Sequence, residues 1–226
     1  AGLFGMSLPV DVGGMALPQT VTMAAYICFQ AANSSVAAYP YMTIAAADLI
    51  LAEGSDEQAA RFVPAMTEGR SFGTMCLSEP QAGSSLADVK ARAVEQDDGS
   101  YRIFGTKTWI TAGDHEVGEN ILHMVLARLP GSPDGVRGIS LFIVPKRVVD
   151  EDGNPGDRND VVLAGLNHKM GTRGTVNAVL NFGEGAFTPG GEAGTIGYIV
   201  GKPDTGLSSM FHMMNEARIG VGLTAA

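Results

Sequence analysis

The feature that most constrains this chain is a change of hydrophobic period at Arg70. Apolar residues recur at helical spacing from Leu17 to Ala32 and again from Met42 to Ala52, separated by turn-prone Asn33-Ser34-Ser35 and by Pro40. This predicts two core-facing helices. A third starts at Ser55, whose hydroxyl can cap the helix while Gln58 reaches back, and stops near Gly69. Beyond Arg70 come short β-prone runs: FGTMCLS, DVKARAV, YRIFG, KTWIT, ILHMVLAR, GISLFIV, VVLAGL and TVNAVLNF. Strands without long helices between them imply an antiparallel barrel or sandwich and exclude a βαβ fold. Helical spacing returns from Thr205 to Leu223, with Met210, Met213, Met214 and Ile219 on the expected buried side. The expected class is therefore α+β: a helical segment (1–70), a central β-domain (71–204) and the opening of a second helical domain (205–226).

Thirty Gly and eleven Pro, scattered and not repeated, agree with a turn-rich β component, and 226 residues suffice to bury a core without disulfides or metal. A net charge of -9 with no run of Lys or Arg makes nucleic acid a poor partner, because phosphate neutralisation needs clustered positive charge. Cys28 and Cys76 lie in apolar sequence without C-x-x-C spacing and read as two reduced, buried thiols in a reducing compartment. No apolar stretch approaches the ~20 residues that span a bilayer, and the first ten residues carry no charged n-region. The expectation is a cytoplasmic protein, or a mitochondrial-matrix one if eukaryotic. Both ends fall in apolar sequence where a domain would continue, so a fragment is expected.

Common catalytic signatures are missing. His115, His123, His168 and His212 are dispersed without metal-ligand spacing, and there is no G-x-S-x-G, P-loop or G-x-G-x-x-G pattern. The insertion from Val149 to Asp160 alternates Asp150, Asp152 and Asn154 as a calcium loop would. Pro155 replaces the turn glycine and Val161 the closing Glu, which leaves a solvated acidic hairpin.

Two segments could carry chemistry. In MCLSEPQAGSSLADVKARA (75–93) a strand runs into a turn where Gly83 permits close approach and Ser84 and Ser85 add donors, an arrangement able to cradle a pyrophosphate. The same composition serves a plain β-turn, which the residues alone favour. In GTKTWITAG (105–113), Trp109 and Thr111 flank Ile110 and share one face of a strand. A flat ring beside a hydroxyl donor suits a heteroaromatic cofactor; it suits a core tryptophan equally, and the residues alone favour the core.

Taken in order, MCLSEPQAGSSLADVKARA, IFGTKTWITAG, GISLFIVP, HKMGTRGT and GLSSMFHMMNEARIGVG resemble the middle region of the acyl-CoA dehydrogenase family from Phe72 onward. The long acidic spacers look like the branch of larger members that includes 3-methylmercaptopropionyl-CoA dehydrogenases. The resemblance implies an FAD enzyme that dehydrogenates an acyl-CoA thioester to an enoyl-CoA, with hydride passing to flavin N5. It also implies that Met75, Leu77 and Ser78 line the flavin ring, that Gly83 and Ser84 meet the pyrophosphate, that Trp109 packs on the ring and that Thr111 donates to N5. The thioester would run past Ser84, with Asn215 and Arg218 at its nucleotide end. Arg218 reads otherwise as a helix-surface cation.

Two positions depart from the family pattern, Ser85 where Asp is usual and Gln81 where Gly is usual. The carboxylate base is expected beyond residue 226. A minority of members place it just before the arginine, here Ala217, and Glu216 lies about 100° further around the helix. Expected partners are the acyl-CoA, an acceptor such as an electron-transfer flavoprotein, and further copies in a homodimer or tetramer. The alternatives are a nitroalkane-oxidase-like or DNA-damage-associated flavoprotein of the same fold, or a truncated, non-catalytic assembly module.

Overall fold

The structure, a computed structural model, describes residues 2–225. Helix α1 (Gln19–Glu53) is kinked where Asn33 leaves helical geometry (φ -163°, ψ 95°). The Asn33 side-chain oxygen accepts the Val36 N–H at 3.1 Å, so the expected break is the N-cap of the second segment. Pro40, expected to help separate two helices, lies inside that second segment instead. By length and composition α1 is long and apolar enough to cross a membrane, contrary to the sequence expectation, yet 61% of its most apolar window is buried against the rest of the protein.

Helix α2 (Asp56–Thr67) carries the predicted capping box: the Gln58 N–H donates to Ser55 Oγ at 3.2 Å and the Ser55 N–H to Gln58 Oε1 at 3.1 Å. The sheet begins at once with β1 (Ser71–Cys76), followed by β2 (Arg92–Glu95), β3 (Tyr101–Thr111), β4 (Asn120–Ala127) and β5 (Ser140–Pro145). A hairpin, β6 (Arg147–Val149) and β7 (Pro155–Arg158), forms the acidic insertion as expected. Strands β8 (Val161–Leu166), β9 (Asn177–Phe182) and β10 (Thr195–Val200) precede α3 (Gly206–Ala225).

Eight strands share one sheet in the order β1-β4-β5-β10-β3-β9-β8, with β2 on β3. All pairings are antiparallel except β1 on β4, which is parallel, and the sheet is open between β1 and β8 rather than closed. YRIFG and KTWIT merge into the single eleven-residue β3, and β10 had no counterpart among the predicted runs. β10 is what joins the two halves, pairing with β5 on one side and β3 on the other.

β4 and β5 are buried along their whole length, because both faces are covered. Leu122, Met124, Leu141 and Ile143 face a core shared with Leu49, Ile50, Phe62 and Met66 of the helices and Met210 and Met213 of α3. Val125, Phe142 and Val144 face a second core with Ile103, Ile110, Leu180 and Phe182. Alternation along one strand thus feeds two cores. Ile219, expected on the buried side of α3, is 55% exposed: nine residues beyond Met210 is about 180° around a helix. The residue that meets α1 is Gly220, where a Cβ would come within 2.3 Å of the Tyr41 ring. Cys28 is also exposed and only Cys76 is buried, because the first segment of α1 packs by a single face through Thr22 and Tyr26.

Candidate functional site

β1 delivers Met75 and Leu77 half-buried at its end, and the Ser78 carbonyl accepts the Thr108 N–H at 2.9 Å, which pins this end to β3. The chain then turns. Glu79 and Ala82 exchange backbone hydrogen bonds of 2.9 and 3.0 Å. The Glu79 carboxylate, 5% exposed, receives Lys107 Nζ at 2.8 Å, the Lys90 N–H at 2.8 Å, the Ala91 N–H at 3.0 Å and Gln81 Nε2 at 2.6 Å. Lys107, fully buried, also donates to the Leu77 carbonyl at 3.0 Å.

Burial works against the Glu79 carboxylate, but the Lys107 ammonium and the backbone donors outweigh it and hold its pKa below the usual value. Burial likewise pulls Lys107 down, opposed by Glu79. With the carboxylate accepting four hydrogen bonds and the ammonium donating two, the ion pair is the form that fits the geometry. Gln81, one of the two departures noted above, is a working member of this network.

Gly83, Ser84 and Ser85 stand exposed on the far side of the turn. Among the described residues their backbone N–H groups have no acceptor, and a Cβ built on Gly83 would meet nothing within 4 Å. Three free donors around an open glycine make a cradle for an anion. The β-turn favoured by composition alone is present at Glu79–Ala82, and the three free donors follow it.

On β3 the register against β9 shifts between Lys107 and Ile110. Trp109 sits in that bulge with φ +62°, a left-handed conformation costly for a side chain of this size. Ile110 beside it is 1% exposed, while Trp109 is 56% exposed and Thr111 half-buried. A core tryptophan would be buried; this one is largely exposed. The bulge re-aims the side chain, as bulges near functional sites do.

α3 closes the region. One hollow of about 370 Å³ has Thr111, Tyr26, Tyr41, Met42, Ala217 and Gly220 in its wall. An adjoining hollow of about 280 Å³ is lined by Met75, Met214, Ala217, Arg218 and Val221. Ala217 and Val221 belong to both, so Met75 and Thr111 face the same stretch of α3. Arg218 is exposed, donates to Asn215 Oδ1 at 2.8 Å and lies 5.4 Å from the Phe211 ring centroid. No carboxylate pairs with it among the described residues. Glu216 lines neither hollow. It packs against Asp48 of α1, and burial together with that carboxylate pushes its pKa up to about 8.

Met75, Thr111 and Arg218 are thus gathered by the two hollows, Leu77 and Ser78 stay on the strand end beside them, and Gly83 and Ser84 form a separate cradle. Sequence reasoning missed Glu79 and Lys107. The available signal was a lysine inside a strand otherwise built for burial. An exposed ring, a neighbouring hydroxyl and an anion cradle fit a flavin dinucleotide.

Comparisons with known proteins identify the family. The family model described as "Acyl-CoA dehydrogenase, N-terminal domain" matches residues 1–70, and the one described as "Acyl-CoA dehydrogenase, middle domain" matches residues 74–184. The 3-methylmercaptopropionyl-CoA dehydrogenase of Ruegeria pomeroyi is 43% identical over 98% of this chain and 36% of its own length. The broad-specificity linear acyl-CoA dehydrogenase FadE5 of Mycobacterium tuberculosis is 36% identical over 100% of this chain and 36% of its own. The chain therefore spans about a third of the length of these relatives. A solved acyl-CoA dehydrogenase from Bacillus anthracis, complexed with FAD, shares the fold with a TM-score of 0.77 at 22% identity, over 99% of this chain and 34% of that one. On these grounds the chain belongs to the acyl-CoA dehydrogenase family.

Proposed function

We propose that this chain is the flavin-holding part of an acyl-CoA dehydrogenase, with residues 1–70, 71–204 and 205–226 as the end of one helical domain, the β-domain and the opening helix of another. The observation that carries this is the pair of hollows in which Thr111 and Met75 face the same stretch of α3 at Ala217 and Val221, with the strained and exposed Trp109 two residues before Thr111 in β3. Bound FAD would supply an acceptor for the hydride leaving the β-carbon of an acyl-CoA, and the product is an enoyl-CoA. Trp109 packs on the flavin ring, with Met75, Leu77 and Ser78 along it. Thr111 would donate a hydrogen bond at the flavin N5, a preplaced donor that favours negative charge at that atom. Gly83 and Ser84 receive the pyrophosphate through their free N–H groups.

The thioester passes Ser84, and Arg218, oriented by Asn215 and Phe211, meets phosphate or stacks on adenine at the nucleotide end. The carboxylate that removes the α-proton is not in this sequence. Ala217, the position used by a minority of the family, has none to offer, and Glu216 is committed to Asp48. The larger protein would pass electrons to an acceptor such as an electron-transfer flavoprotein and work as a homodimer or tetramer.

An anaerobic spectrum of the polypeptide that contains this chain, taken with short, long and methylthio-substituted acyl-CoAs, tests the reading. Bleaching of the oxidised flavin band by one class, slowed in Thr111→Ala and Trp109→Phe, is expected. A bound flavin that no thioester reduces would overturn the dehydrogenation; a protein that binds no flavin would overturn the site.

A further inference from the structure

The cradle at Gly83–Ser85 does not hold itself. The turn from Gly83 to Asp88 is almost wholly exposed, and its internal backbone bonds, Asp88 N–H to Ser85 O and Val89 N–H to Leu86 O, are both 3.2 Å long. A segment with so little packing would open readily by itself. Glu79 fixes one side by accepting the Lys90 and Ala91 N–H groups.

The other side is gripped by Arg128, the residue that follows β4. Its Nε donates to the Val89 carbonyl at 2.8 Å and its Nη2 to the Ala87 carbonyl at 2.7 Å. The same guanidinium reaches across to the loop between β4 and β5, with Nη2 2.7 Å from the Gly135 carbonyl and Nη1 3.2 Å from the Pro133 carbonyl. Its main chain is anchored too: the Arg128 N–H donates to Ala91 O and its carbonyl accepts the Ala93 N–H, each at 2.8 Å. No carboxylate pairs with it among the described residues.

We infer that Arg128 is a positioning residue for the dinucleotide's pyrophosphate: it holds the Gly83–Val89 turn by the Ala87 and Val89 carbonyls and leaves the Gly83, Ser84 and Ser85 N–H groups free for the anion. The inference rests on the flavin reading above. A planar fork with five donors can hold four carbonyls from two segments at once, which an ammonium cannot. Its positive charge also lies behind the turn, where it favours an anion in front.

The test compares the polypeptide containing this chain with Arg128→Gln and Arg128→Lys by two readouts. In titrations with FAD and riboflavin, Arg128→Gln is expected to weaken FAD by about tenfold or more and riboflavin by less than about twofold, since riboflavin has no pyrophosphate. Arg128→Lys should fall between. Equal weakening of both ligands, or of neither, overturns the inference. In hydrogen exchange without ligand, faster exchange at residues 84–91 with unchanged protection of β4 and β5 supports it, and unchanged exchange at 84–91 overturns it whatever the ligands do. A parent protein that binds no FAD, with the turn still loosened by Arg128→Gln, sinks the flavin reading and upholds the strut.

Discussion

The Lys107 ammonium and the Glu79 carboxylate lie 2.8 Å apart, fully enclosed, where the turn after β1 crosses the middle of β3. Twenty-eight residues separate them in sequence, yet this pair joins the Leu77 carbonyl and the Lys90 and Ala91 amides into one hub behind the proposed cofactor site. Removing one partner strands the other charge in the interior. Lys107→Met is therefore expected to cost about 3–5 kcal/mol in urea unfolding, whereas Lys107→Met with Glu79→Gln should recover part of that loss. A single mutant as stable as the parent would show that the pair contributes nothing.

Trp109 predicts a trade between stability and binding. Its left-handed backbone is tolerated far better by Asn. Because the ring is largely exposed, Trp109→Asn should leave the thermal midpoint unchanged or raise it by a few degrees, a gain of about 1 kcal/mol. Flavin affinity should fall at the same time. Calorimetry beside a flavin titration decides; a destabilised variant would mean that the ring packs in the core.

The Asp48–Glu216 contact between α1 and α3 depends on a proton. Burial, then the Asp48 charge, raises the Glu216 pKa to about 8 from 4.5, and burial raises Asp48 as well. The folded state thus holds a proton that the unfolded chain gives up. Its stabilising contribution is complete below about pH 4.5 and is lost as pH rises towards 8. Glu216→Gln should flatten that part of the stability profile, measured by urea unfolding at several pH values. An unchanged slope would count against the shared proton.

His123 works in the opposite direction. It is fully buried, with Nδ1 2.7 Å from Thr74 Oγ1, and burial, reinforced by the Lys146 and Arg158 charges, lowers its pKa to about 3 from 6.5. The unfolded state takes up the proton first. Stability from this group is complete above about pH 6.5 and is lost as pH falls towards 3. His123→Asn, which keeps an acceptor near the Nδ1 position, should reduce the slope of acid unfolding. Proton-detected titration of the imidazole near pH 6.5 in the folded protein would contradict this.

How much of this was legible in advance follows from how far each interaction reaches. Local pattern was enough for the helix-to-strand change at Arg70, the Ser55–Gln58 capping box, the acidic hairpin, and the opposed faces of Ile110 and Trp109, because hydrophobic period and capping act over a few residues. The motifs around Gly83 and Trp109 pointed to a candidate site only through their resemblance to a family, since the residues alone favoured a plain turn and a core tryptophan. Local pattern could not tell the open sheet from a barrel, foresee the parallel β1–β4 pairing or recover β10, whose partners Ile103 and Ile143 lie some fifty to ninety residues away.

It also misplaced Ile219 and Cys28. Apolar composition marks residues that can be buried, and only the packing of α1 against α3 decides which are. The Glu79–Lys107 pair, the grip of Arg128 on the turn and the strain at Trp109 are tertiary in the same sense. Each depends on groups brought together across the fold, and at Trp109 on a bulge that exists only because β3 must pair with β9.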